Sequence, residues 1–390
     1  MKIAFFVQHM LCGGVENALL ALANELDKRN NQISIFMIKE KGKFVDKIPS
    51  SIHKQTIPMP ENIREMIPSG GIKLSIKEAI TDRQFSNAIK MGVKYVISKS
   101  DFAELNVDFN KIPPLEEKYD IAVIYHIHSP FLVKYVSEKV IAGKKYAWIH
   151  NDFTTTKYEI KKLQMYLKCI DHFFCVAEKL KQEFTNIFAE YKDITDVALN
   201  IVPYQEIRLK AEAFFPEEYK DINSIKLLTV GRVEEQKGYD IAINVAKRLN
   251  DENIDFQWYI LGEGSLRQSF QNELNHIGLS SKMHFLGIRM NPYPYFKNCD
   301  IYVQTSRHEG YVTTVTEAKI FNKPIVCTDV SGAREQINDG VSGDIAEINS
   351  ESVERKLLRL IYDTDRRKSY EDILSTNDFS ENTEWLRYFR

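Results

Sequence analysis

Two glutamates eight residues apart carry the strongest chemical signal in this sequence. Glu309 and Glu317 follow the apolar run 301–303, which has the length and composition of a buried strand. If a helix begins near Thr313, Glu309 lies in the loop that enters the helix, and Glu317 lies in its early turns. The unpaired N–H groups of 311–314 then point outward from the positive end of the helix. Because such an end favours anions, this segment predicts a binding site for a diphosphate.

The same segment offers further groups to a ligand. Gly310 lets the backbone approach a bound molecule closely, and the hydroxyls of Thr313 and Thr314 can donate hydrogen bonds. A surface helix with acidic residues in its first turn has the same spacing, so the pattern needs a second signal.

That second signal is a pair of cations upstream. The strand candidate 227–230 runs into Gly231 and Arg232, and Lys237 with Gly238 follows before the next helix. Arginine presents a planar fork and lysine a point charge, and each charge-assisted hydrogen bond contributes about 1.5–3 kcal/mol. Each cation alone is typical of a solvated loop. Together with the two glutamates, they indicate a loop that neutralises a diphosphate.

The elements that position these residues follow an α/β pattern. The first forty residues read as a strand at 3–7, a loop at 8–14 that ends in two glycines, a helix, and a strand at 32–38. The helix has one apolar stripe with a period of 3.6 residues. Such a beginning predicts an open sheet with a ligand crevice at the carboxyl ends of its strands.

From residue 227 onward the alternation starts again. The strand candidates are 227–230, 258–261, 283–286, 301–303 and 325–327, and the helical patterns are 239–249, 265–276, 313–321 and 350–361. The irregular stretch 200–224 is expected to contain a linker. The sequence therefore predicts two α/β halves.

Composition excludes several classes of protein. The net charge of −2, from 52 basic and 54 acidic side chains, gives no basic field that would attract nucleic acid. No apolar run approaches the ~20 residues that cross a membrane, and residues 3–7 are too short for a secretory signal. Five cysteines without a C-x-x-C pair argue against a disulfide framework and a structural zinc site. We therefore expect a cytoplasmic globular enzyme.

These motifs resemble those of the retaining glycosyltransferases of family 4 (glycosyl transferases group 1), whose signature is Glu-x7-Glu with Gly-Arg and Lys-Gly upstream. The resemblance covers almost the whole chain, and further matching segments are 13–16, 147–152, 261–264, 285–287 and 331–335. It implies the α/β fold called GT-B, in which two Rossmann-like doubly wound domains face each other across a cleft. We assign an acceptor-binding domain to 1–205 and a nucleotide-sugar-binding domain to 206–372. The aromatic tail 373–390 is expected to pack back on the first.

The resemblance implies a role for each matching residue of the second half. Arg232 and Lys237, beside Gly231, would hold the diphosphate of the donor and stabilise it as it leaves. Glu309 would bind hydroxyls of the transferred sugar, and Glu317 those of the ribose. Backbone groups at four consecutive positions would hold the sugar and the distal phosphate; these are Gly310, Tyr311, Val312 and Thr313.

In the first half, the resemblance places His150 near the sugar and the acceptor. It counts as catalytic together with Arg232, Lys237 and Glu309, although a histidine at a strand end is often only a packing residue. Gly13 and Gly14 would let the first loop close over the phosphates. Glu16 matches the family pattern, and a first-turn helix carboxylate is also explained by structure alone.

Two positions depart from the family pattern. The stretch after Gly310 is usually rich in glycine but is Tyr311-Val312-Thr313 here, which leaves the sugar specificity open. Asn322 replaces a turn glycine after the helix that carries Glu317. Because asparagine tolerates a left-handed conformation, this second departure is expected to be harmless.

The function implied is transfer of a hexose or hexosamine, with retention, from a nucleotide sugar to a glycan or lipid-linked saccharide in surface polysaccharide or glycoconjugate biosynthesis. The donor would be a UDP-sugar acting as co-substrate, with no cofactor and no metal. Two alternatives stay open. One is a nucleotide-sugar epimerase or hydrolase on the same fold. The other is a non-catalytic partner subunit, which would be expected to lack the cations or the glutamates.

The sequence also contains three weaker patterns. The stretch 61–99 has seven basic against four acidic residues among apolar ones, which fits contact with an anionic membrane at the inner face of the cell or an ordinary solvated face. Asp363 and Asp365 form a D-x-D pair, but they lie at the end of a predicted helix. His126 and His128 lack a third zinc ligand. No nicotinamide fingerprint, P-loop or G-x-S-x-G elbow is present.

Overall fold

The computed structural model describes residues 1–11, 13–67, 105, 107–153, 159–376 and 384–390. Residues 68–99 of the basic stretch and 377–383 of the aromatic tail lie outside these ranges. The described residues form two compact units. Unit 1 comprises 1–176, 180–201 and 384–390, and unit 2 comprises 177–179 and 202–376.

The boundary between the units differs from the predicted one at 205/206. It lies at 201/202, because the helix Tyr204–Lys210 buries Ile207 in the core of unit 2. At the other end, the helix Thr364–Ser375 keeps residues 373–375 in unit 2, with Leu374 fully buried. Of the predicted tail 373–390, the described part that belongs to unit 1 is therefore 384–390.

Unit 1 contains a seven-stranded parallel sheet with the order β3-β2-β1-β4-β5-β6-β7. The strands are β1 Lys2–Val7, β2 Gln32–Met37, β3 His53–Thr56, β4 Tyr119–Ile124, β5 Ala142–Ile149, β6 His172–Cys175 and β7 Thr195–Val197. The central strands are continuous apolar runs because both faces of the sheet are covered. In the register of the sheet, Phe5 of β1 lies opposite Ile35 of β2 and Val123 of β4.

The described helices of this part of the chain are α1 Gly14–Lys28, α2 Glu61–Met66, α3 Pro130–Lys139, α4 Gln164–Leu167 and α5 Glu178–Ile187. In α1 the predicted apolar stripe is buried against the sheet, with Leu19, Leu22 and Leu26 at most 2% exposed. The chain leaves α1 through Asn30, which adopts a left-handed conformation with φ of 61°.

The end of the chain forms a 3₁₀ helix, Glu384–Phe389, whose aromatic side chains pack on β5 and β6. The ring of Trp385 lies 5.3 Å from that of Trp148, and the ring of Tyr388 lies 4.1 Å from that of His172. The Tyr388 hydroxyl donates to Asp196 over 2.6 Å. These contacts attach the last residues to unit 1.

Unit 2 contains a six-stranded parallel sheet with the order β10-β9-β8-β11-β12-β13, the arrangement typical of dinucleotide-binding domains. The strands are β8 Ile225–Val230, β9 Phe256–Leu261, β10 Met283–Gly287, β11 Ile301–Gln304, β12 Ile325–Thr328 and β13 Asp344–Ala346. All five predicted strands lie within the first five of these. The short edge strand β13 was not predicted.

The described helices of unit 2 are α6 Tyr204–Lys210, α7 Tyr239–Asp251, α8 Arg267–His276, α9 Tyr293–Asn298, α10 Thr313–Ile320, α11 Ala333–Gln336, α12 Ser350–Tyr362 and α13 Thr364–Ser375. The sheet is covered on both faces by apolar clusters, one around Trp258 and one around Phe296. Inside the sheet, Thr229 of β8 donates to the carbonyl of Val303 on β11 over 2.7 Å and accepts from the Trp258 indole over 3.0 Å. These bonds fix the two strands that flank the predicted site.

Several sequence expectations can be compared with this fold. Asn322 has a φ of 54°, as expected for a residue that replaces a turn glycine. Asp363 caps the amino end of α13 by accepting from the Arg366 N–H over 2.8 Å, so the D-x-D pair marks a helix boundary. Within the described ranges, no group of three or more metal-ligating side chains occurs. Among the helices that the structure describes, none has the length and apolar character needed to cross a bilayer.

Candidate functional site

In unit 2, the strand order reverses between β8 and β11, and the loops that follow these two strands carry the predicted site. Three hydrogen bonds join the loops. The Thr305 hydroxyl donates to the carbonyl of Lys237 over 3.1 Å, and the Arg307 N–H donates to the carbonyl of Gln236 over 2.8 Å. The Gln236 amide donates in return to the carbonyl of His308 over 2.8 Å. These hydrogen bonds therefore hold the two loops together.

An ion pair reinforces the same junction. Both terminal nitrogens of the Arg307 guanidinium donate to the Asp240 carboxylate, over 2.8 and 2.5 Å. These bonds lower the pKa of Asp240 below its ordinary value, more than its partial burial raises it. Planar two-bond pairing of this kind orients both side chains as well as attracting them. Neither residue was predicted to belong to the site, because they are separated by 66 positions and match no motif on their own.

Two of the predicted site residues are in direct contact. The Lys237 ammonium donates to Oε1 of Glu309 over 2.5 Å, and both side chains are largely buried. The Ser306 hydroxyl donates to the same oxygen over 2.6 Å. Because lysine has three N–H donors, this pairing leaves two for another anion.

The glycines near Lys237 explain how this residue comes close to the loop that follows β11. Gly238 has a φ of 63°, and a Cβ there would lie 2.1 Å from the carbonyl oxygen of Thr305. A Cβ at Gly231 would lie 3.4 Å from Cε of Lys237. Gly238 therefore allows the turn into α7 that brings the lysine against the second loop.

Arg232 is exposed, and within the described part of the chain its guanidinium makes no hydrogen bond or ion pair. It follows Gly231 directly at the carboxyl end of β8. An unpaired arginine at this edge keeps all of its donors available for a ligand.

Helix α10 begins at Thr313, where the helical pattern 313–321 predicted it. Val312 occupies the cap position without a side-chain bond, and no acidic residue lies in the first turn. The N–H groups of Val315 and Thr316 donate to the Val312 carbonyl, whereas those of Thr313 and Thr314 find no acceptor among the described residues. Tyr311 and Gly310 complete the loop, and the Gly310 carbonyl lies 2.9 Å from where a Cβ at Gly332 would be. The start of α10 thus presents free N–H groups to an anion.

Glu317 lies one turn further along α10 and is 9% exposed. Burial raises the pKa of its carboxyl to about 7, although the Tyr293 hydroxyl opposes this increase. Among the described residues it forms no ion pair, so its charge is balanced neither by Arg232 nor by Lys237. Such a carboxyl can gain a proton or a hydroxyl donor near neutral pH.

Unit 1 has its own polar cluster where its strand order reverses, between β1 and β4. His9 follows β1 and His126 follows β4, and their ring centroids are 6.1 Å apart. The Gln8 N–H donates to Nδ1 of His126 over 3.2 Å, so this nitrogen carries no proton. Burial lowers the pKa of His126 to about 4. The imidazole is therefore neutral at pH 7.

Glu16 of α1 faces this cluster. Its Oε1 lies 3.5 Å from Nδ1 of His9, and both residues are 7% exposed. Burial raises the pKa of Glu16, but the hydrogen bond with His9, the charges of His126 and His9 and a backbone hydrogen bond together lower it more, so the pKa lies below its ordinary value. A Cβ at Gly13 would lie 2.5 Å from Oε2 of Glu16, so Gly13 packs against this carboxylate. Gly14 is the first residue of α1.

His150 follows β5 and is 6% exposed, with its ring 4.5 Å from that of Tyr125. Burial lowers its pKa well below the ordinary value, so the ring is neutral. Its Nε2 is buried and has no hydrogen-bond partner in the part of the chain that the structure describes. A buried polar atom without a partner is costly, and it is typical of a position that a ligand completes.

The structure thus divides the predicted residues into two groups. Gly231, Arg232, Lys237, Glu309, Gly310–Thr313 and Glu317 lie at the carboxyl edge of the unit 2 sheet, and Gly13, Gly14 and His150 lie at that of the unit 1 sheet. Sequence reasoning missed His9, and it considered His126 only as a metal ligand. It also missed Ser306, which contacts Glu309 directly, although Ser306 lies at the start of the segment that contains the glutamates.

Comparison with known proteins gives consistent matches. Residues 211–373 match the family Glycosyl transferases group 1. The chain is 27% identical over 183 residues to an uncharacterized glycosyltransferase of Methanocaldococcus jannaschii, which covers 46% of this chain and 45% of the relative. It is 32% identical over 152 residues to the N-acetylgalactosamine-N,N'-diacetylbacillosaminyl-diphospho-undecaprenol 4-alpha-N-acetylgalactosaminyltransferase of Campylobacter jejuni. The aligned segment covers 38% of this chain and 41% of the relative. The chain spans less than half the length of these curated relatives. Other relatives are named as glycosyltransferases of lipopolysaccharide core and capsular polysaccharide biosynthesis.

Among solved structures, HepE of Anabaena in complex with UDP-glucose is similar, with a TM-score of 0.71 over 100% of this chain and 99% of HepE. The identity is 14%, so this likeness bears on the fold alone. It agrees with the two parallel sheets and their strand orders. The predicted fold class, GT-B with two Rossmann-like doubly wound units, is confirmed.

Proposed function

We propose that this protein is a glycosyltransferase that moves a hexose or hexosamine from a UDP-sugar to a saccharide or lipid-linked saccharide. The observation that carries the proposal is the Lys237–Glu309 pair beside the uncapped start of α10. The match of residues 211–373 to group 1 glycosyl transferases supports the same reading. Because the matched part of the curated relatives is less than half of their length, the activity of the whole protein is part of the proposal.

The diphosphate of the donor would bind at the edge of unit 2. Within the described ranges, Arg232 offers a guanidinium without a partner, Lys237 has two N–H donors left, and the backbone N–H groups of Thr313 and Thr314 have no acceptor. Negative charge grows on the diphosphate as the glycosidic bond breaks. Donors that are already oriented towards this charge lower the barrier, and the loss of one typically costs about 10²–10³ in rate.

The two carboxylates would hold the rest of the donor. Glu309 would accept hydrogen bonds from hydroxyls of the transferred sugar, and Glu317 from the ribose. In these roles the two carboxylates bind hydroxyl groups. They therefore differ from the two carboxyl groups of a glycosidase, which act as nucleophile and acid. Retention of configuration and independence from metal are part of the proposal and rest on the resemblance of the Glu-x7-Glu unit.

The acceptor would bind at unit 1, where His150 has a buried Nε2 that has no partner among the described residues. A hydroxyl would satisfy this nitrogen, which as part of a neutral ring can accept or donate according to its tautomer. The C. jejuni relative is named for a saccharide linked to diphospho-undecaprenol, which supports a lipid-linked acceptor and a role in surface polysaccharide or glycoconjugate biosynthesis.

Lipid-linked acceptors would bring the protein to the inner face of the membrane, and the basic stretch 61–99 is our proposed contact. Within its described part, Arg64 is not available to headgroups, because its guanidinium donates to the carbonyls of Ile38 and Ile57 over 2.6 and 3.0 Å. Charge reversal at Lys73, Lys77 and Lys90 should weaken binding to vesicles that contain anionic lipid. Unchanged binding would remove this part of the proposal.

The central experiment is a panel of UDP-, GDP- and ADP-sugars, tested for binding and slow hydrolysis with and without EDTA. We expect binding of UDP-sugars that EDTA does not change, and transfer only when an acceptor is added. Full turnover without an acceptor would favour an epimerase or hydrolase. Absence of binding to every nucleotide sugar would refute the proposal.

A further inference from the structure

Three buried polar side chains form a chain of hydrogen bonds that ends on Glu309. The Tyr302 hydroxyl donates to Oε1 of Gln304 over 2.5 Å, and Nε2 of Gln304 donates to the Ser306 hydroxyl over 2.6 Å. The Ser306 hydroxyl donates to Oε1 of Glu309 over 2.6 Å. Tyr302, Gln304 and Ser306 are at most 1% exposed. Solvent therefore cannot replace any of these bonds.

The chemistry of the groups fixes the direction of the chain. Glu309 accepts from the Lys237 ammonium, so its carboxylate can only accept from Ser306. With its single proton used, the Ser306 oxygen accepts from the amide nitrogen of Gln304. The amide oxygen of Gln304 then faces Tyr302, and Thr314 of α10 also donates to it over 3.3 Å. One glutamine thus connects the start of α10 to Glu309.

This arrangement makes the two oxygens of Glu309 unequal. Oε1 accepts from both Lys237 and Ser306, and in the described part of the chain no donor reaches Oε2. Rotation of the carboxyl group would exchange the two oxygens, but it would break two short bonds. Oε2 is therefore held as the acceptor for a ligand.

We infer that Gln304 and Ser306 are positioning residues that fix the rotation of the Glu309 carboxylate, so that Oε2 accepts from a hydroxyl of the transferred sugar. The inference rests on the proposed function, in which Glu309 binds that sugar. Neither residue needs to touch the ligand. Their effect should therefore fall mainly on the sugar part of the donor.

The test compares the affinity for UDP with that for UDP-glucose, UDP-galactose and UDP-N-acetylglucosamine, measured by titration calorimetry. We expect Ser306→Ala and Gln304→Leu to weaken the binding of the preferred UDP-sugar about tenfold, the equivalent of one hydrogen bond. Binding of UDP should change by less than twofold in Ser306→Ala. In Gln304→Leu it should weaken less than binding of the UDP-sugar does, because this change also removes the bond from Thr314 at the start of α10. Ser306→Thr, which keeps the hydroxyl, should restore much of the lost affinity.

Two further variants distinguish the predicted effect from a general loss of stability. Ser352→Ala removes a buried hydroxyl at the start of α12, outside the chain of hydrogen bonds and outside the site, and should change neither affinity. If Ser306→Ala or Gln304→Leu does not fold, Tyr302→Phe removes a single oxygen at the far end of the chain and should weaken the binding of the UDP-sugar alone, by a smaller factor. Thermal melting of each variant identifies the folded ones.

The outcomes separate the inference from the proposed function. No binding of UDP or of any UDP-sugar by the wild type would refute the proposed function. The inference would be overturned if the wild type binds UDP-sugars but the variants lose as much affinity for UDP as for the UDP-sugar. It would also be overturned if the variants lose no affinity at all.

Discussion

Glu317 gives the most quantitative prediction, because it is a buried carboxyl whose charge is not balanced by a cation in the described structure. Its pKa is raised by burial from an ordinary 4.5 to about 7, against a smaller opposing effect of the Tyr293 hydroxyl. The folded state therefore binds a proton more tightly than the unfolded state. Stability from this group is complete below pH 4.5, falls as the pH rises, and is lost above about pH 7. The magnitude is about 3 kcal/mol between pH 4.5 and pH 8.

Glu317→Gln isolates this contribution, because glutamine has nearly the same shape and does not titrate. The variant should gain stability relative to the wild type by about 3 kcal/mol as the pH increases from 4.5 to 8. Denaturant unfolding followed by Trp258 fluorescence measures it in unit 2. The other two tryptophans, Trp148 and Trp385, lie in unit 1 and would be replaced by phenylalanine in both proteins. A difference in the free energy of unfolding that does not change with pH would refute the reasoning.

The same pKa predicts the pH dependence of donor binding. If ribose hydroxyls donate to Glu317, the ionised carboxylate is the binding form, and affinity should fall about tenfold between pH 8 and pH 6. UDP-glucose is the suitable ligand, because its diphosphate is a diester and does not titrate in this range. Binding by Glu317→Gln should be weaker at pH 8 and independent of pH. An identical pH profile for both proteins would show that Glu317 does not bind the donor as its carboxylate.

Three further predictions concern the loops. Lys237→Met and Glu309→Gln should each reduce turnover by about 10²–10³ while the protein stays folded, as measured by initial rates and circular dichroism; near-normal activity in either contradicts the mechanism. Gly13→Ala should destabilise the protein by about 1 kcal/mol, because the new Cβ would lie 2.5 Å from Oε2 of Glu16 and the buried carboxylate must move away from it. The double variant with Glu16→Ala should recover most of that loss in thermal melting, and simple additivity of the two changes would argue against the contact. Gly238→Ala should lower stability at least as much, because the φ of Gly238 is 63° and a Cβ there would lie 2.1 Å from a backbone carbonyl oxygen. Gly278→Ala is the control for backbone strain alone, because Gly278 has a similar φ and a Cβ there would meet no atom within 4 Å.

The sequence predicted those parts of the fold that depend on burial along one element. Parallel strands covered on both faces are apolar throughout, so β8 to β12 could be recognised from composition. The strand β3 was not recognised, because its residues His53–Thr56 are all polar and lie at the sheet edge. The helix Tyr204–Lys210 lies in the stretch 200–224 that was expected to contain a linker, and it was not predicted because only Ile207 among its residues is buried. Edge elements with few buried side chains leave little pattern in a sequence.

The candidate site was predictable only where a motif linked its residues. Lys237 and Glu309 were expected near the same ligand, but nothing in the sequence indicates that they contact each other across 71 intervening residues. The cluster of His9 and His126 was missed for the same reason, since it exists because β1 and β4 are neighbours in the sheet. The hydrogen-bond chain to Glu309 depends on side-chain rotation, which no spacing rule describes.

The charges at the two sheet edges support different binding roles for the two units. At the edge of unit 1, His126 and His150 have lowered pKa values and are neutral at pH 7, and the nearby Glu16 has a lowered pKa and is ionised. These groups cannot neutralise a diphosphate. At the edge of unit 2, Arg232, Lys237 and the start of α10 can do so. Since neutral imidazoles exchange hydrogen bonds with hydroxyls at little electrostatic cost, the chemistry of each edge favours the proposed placement, with an anionic donor at unit 2 and an uncharged hydroxyl at unit 1.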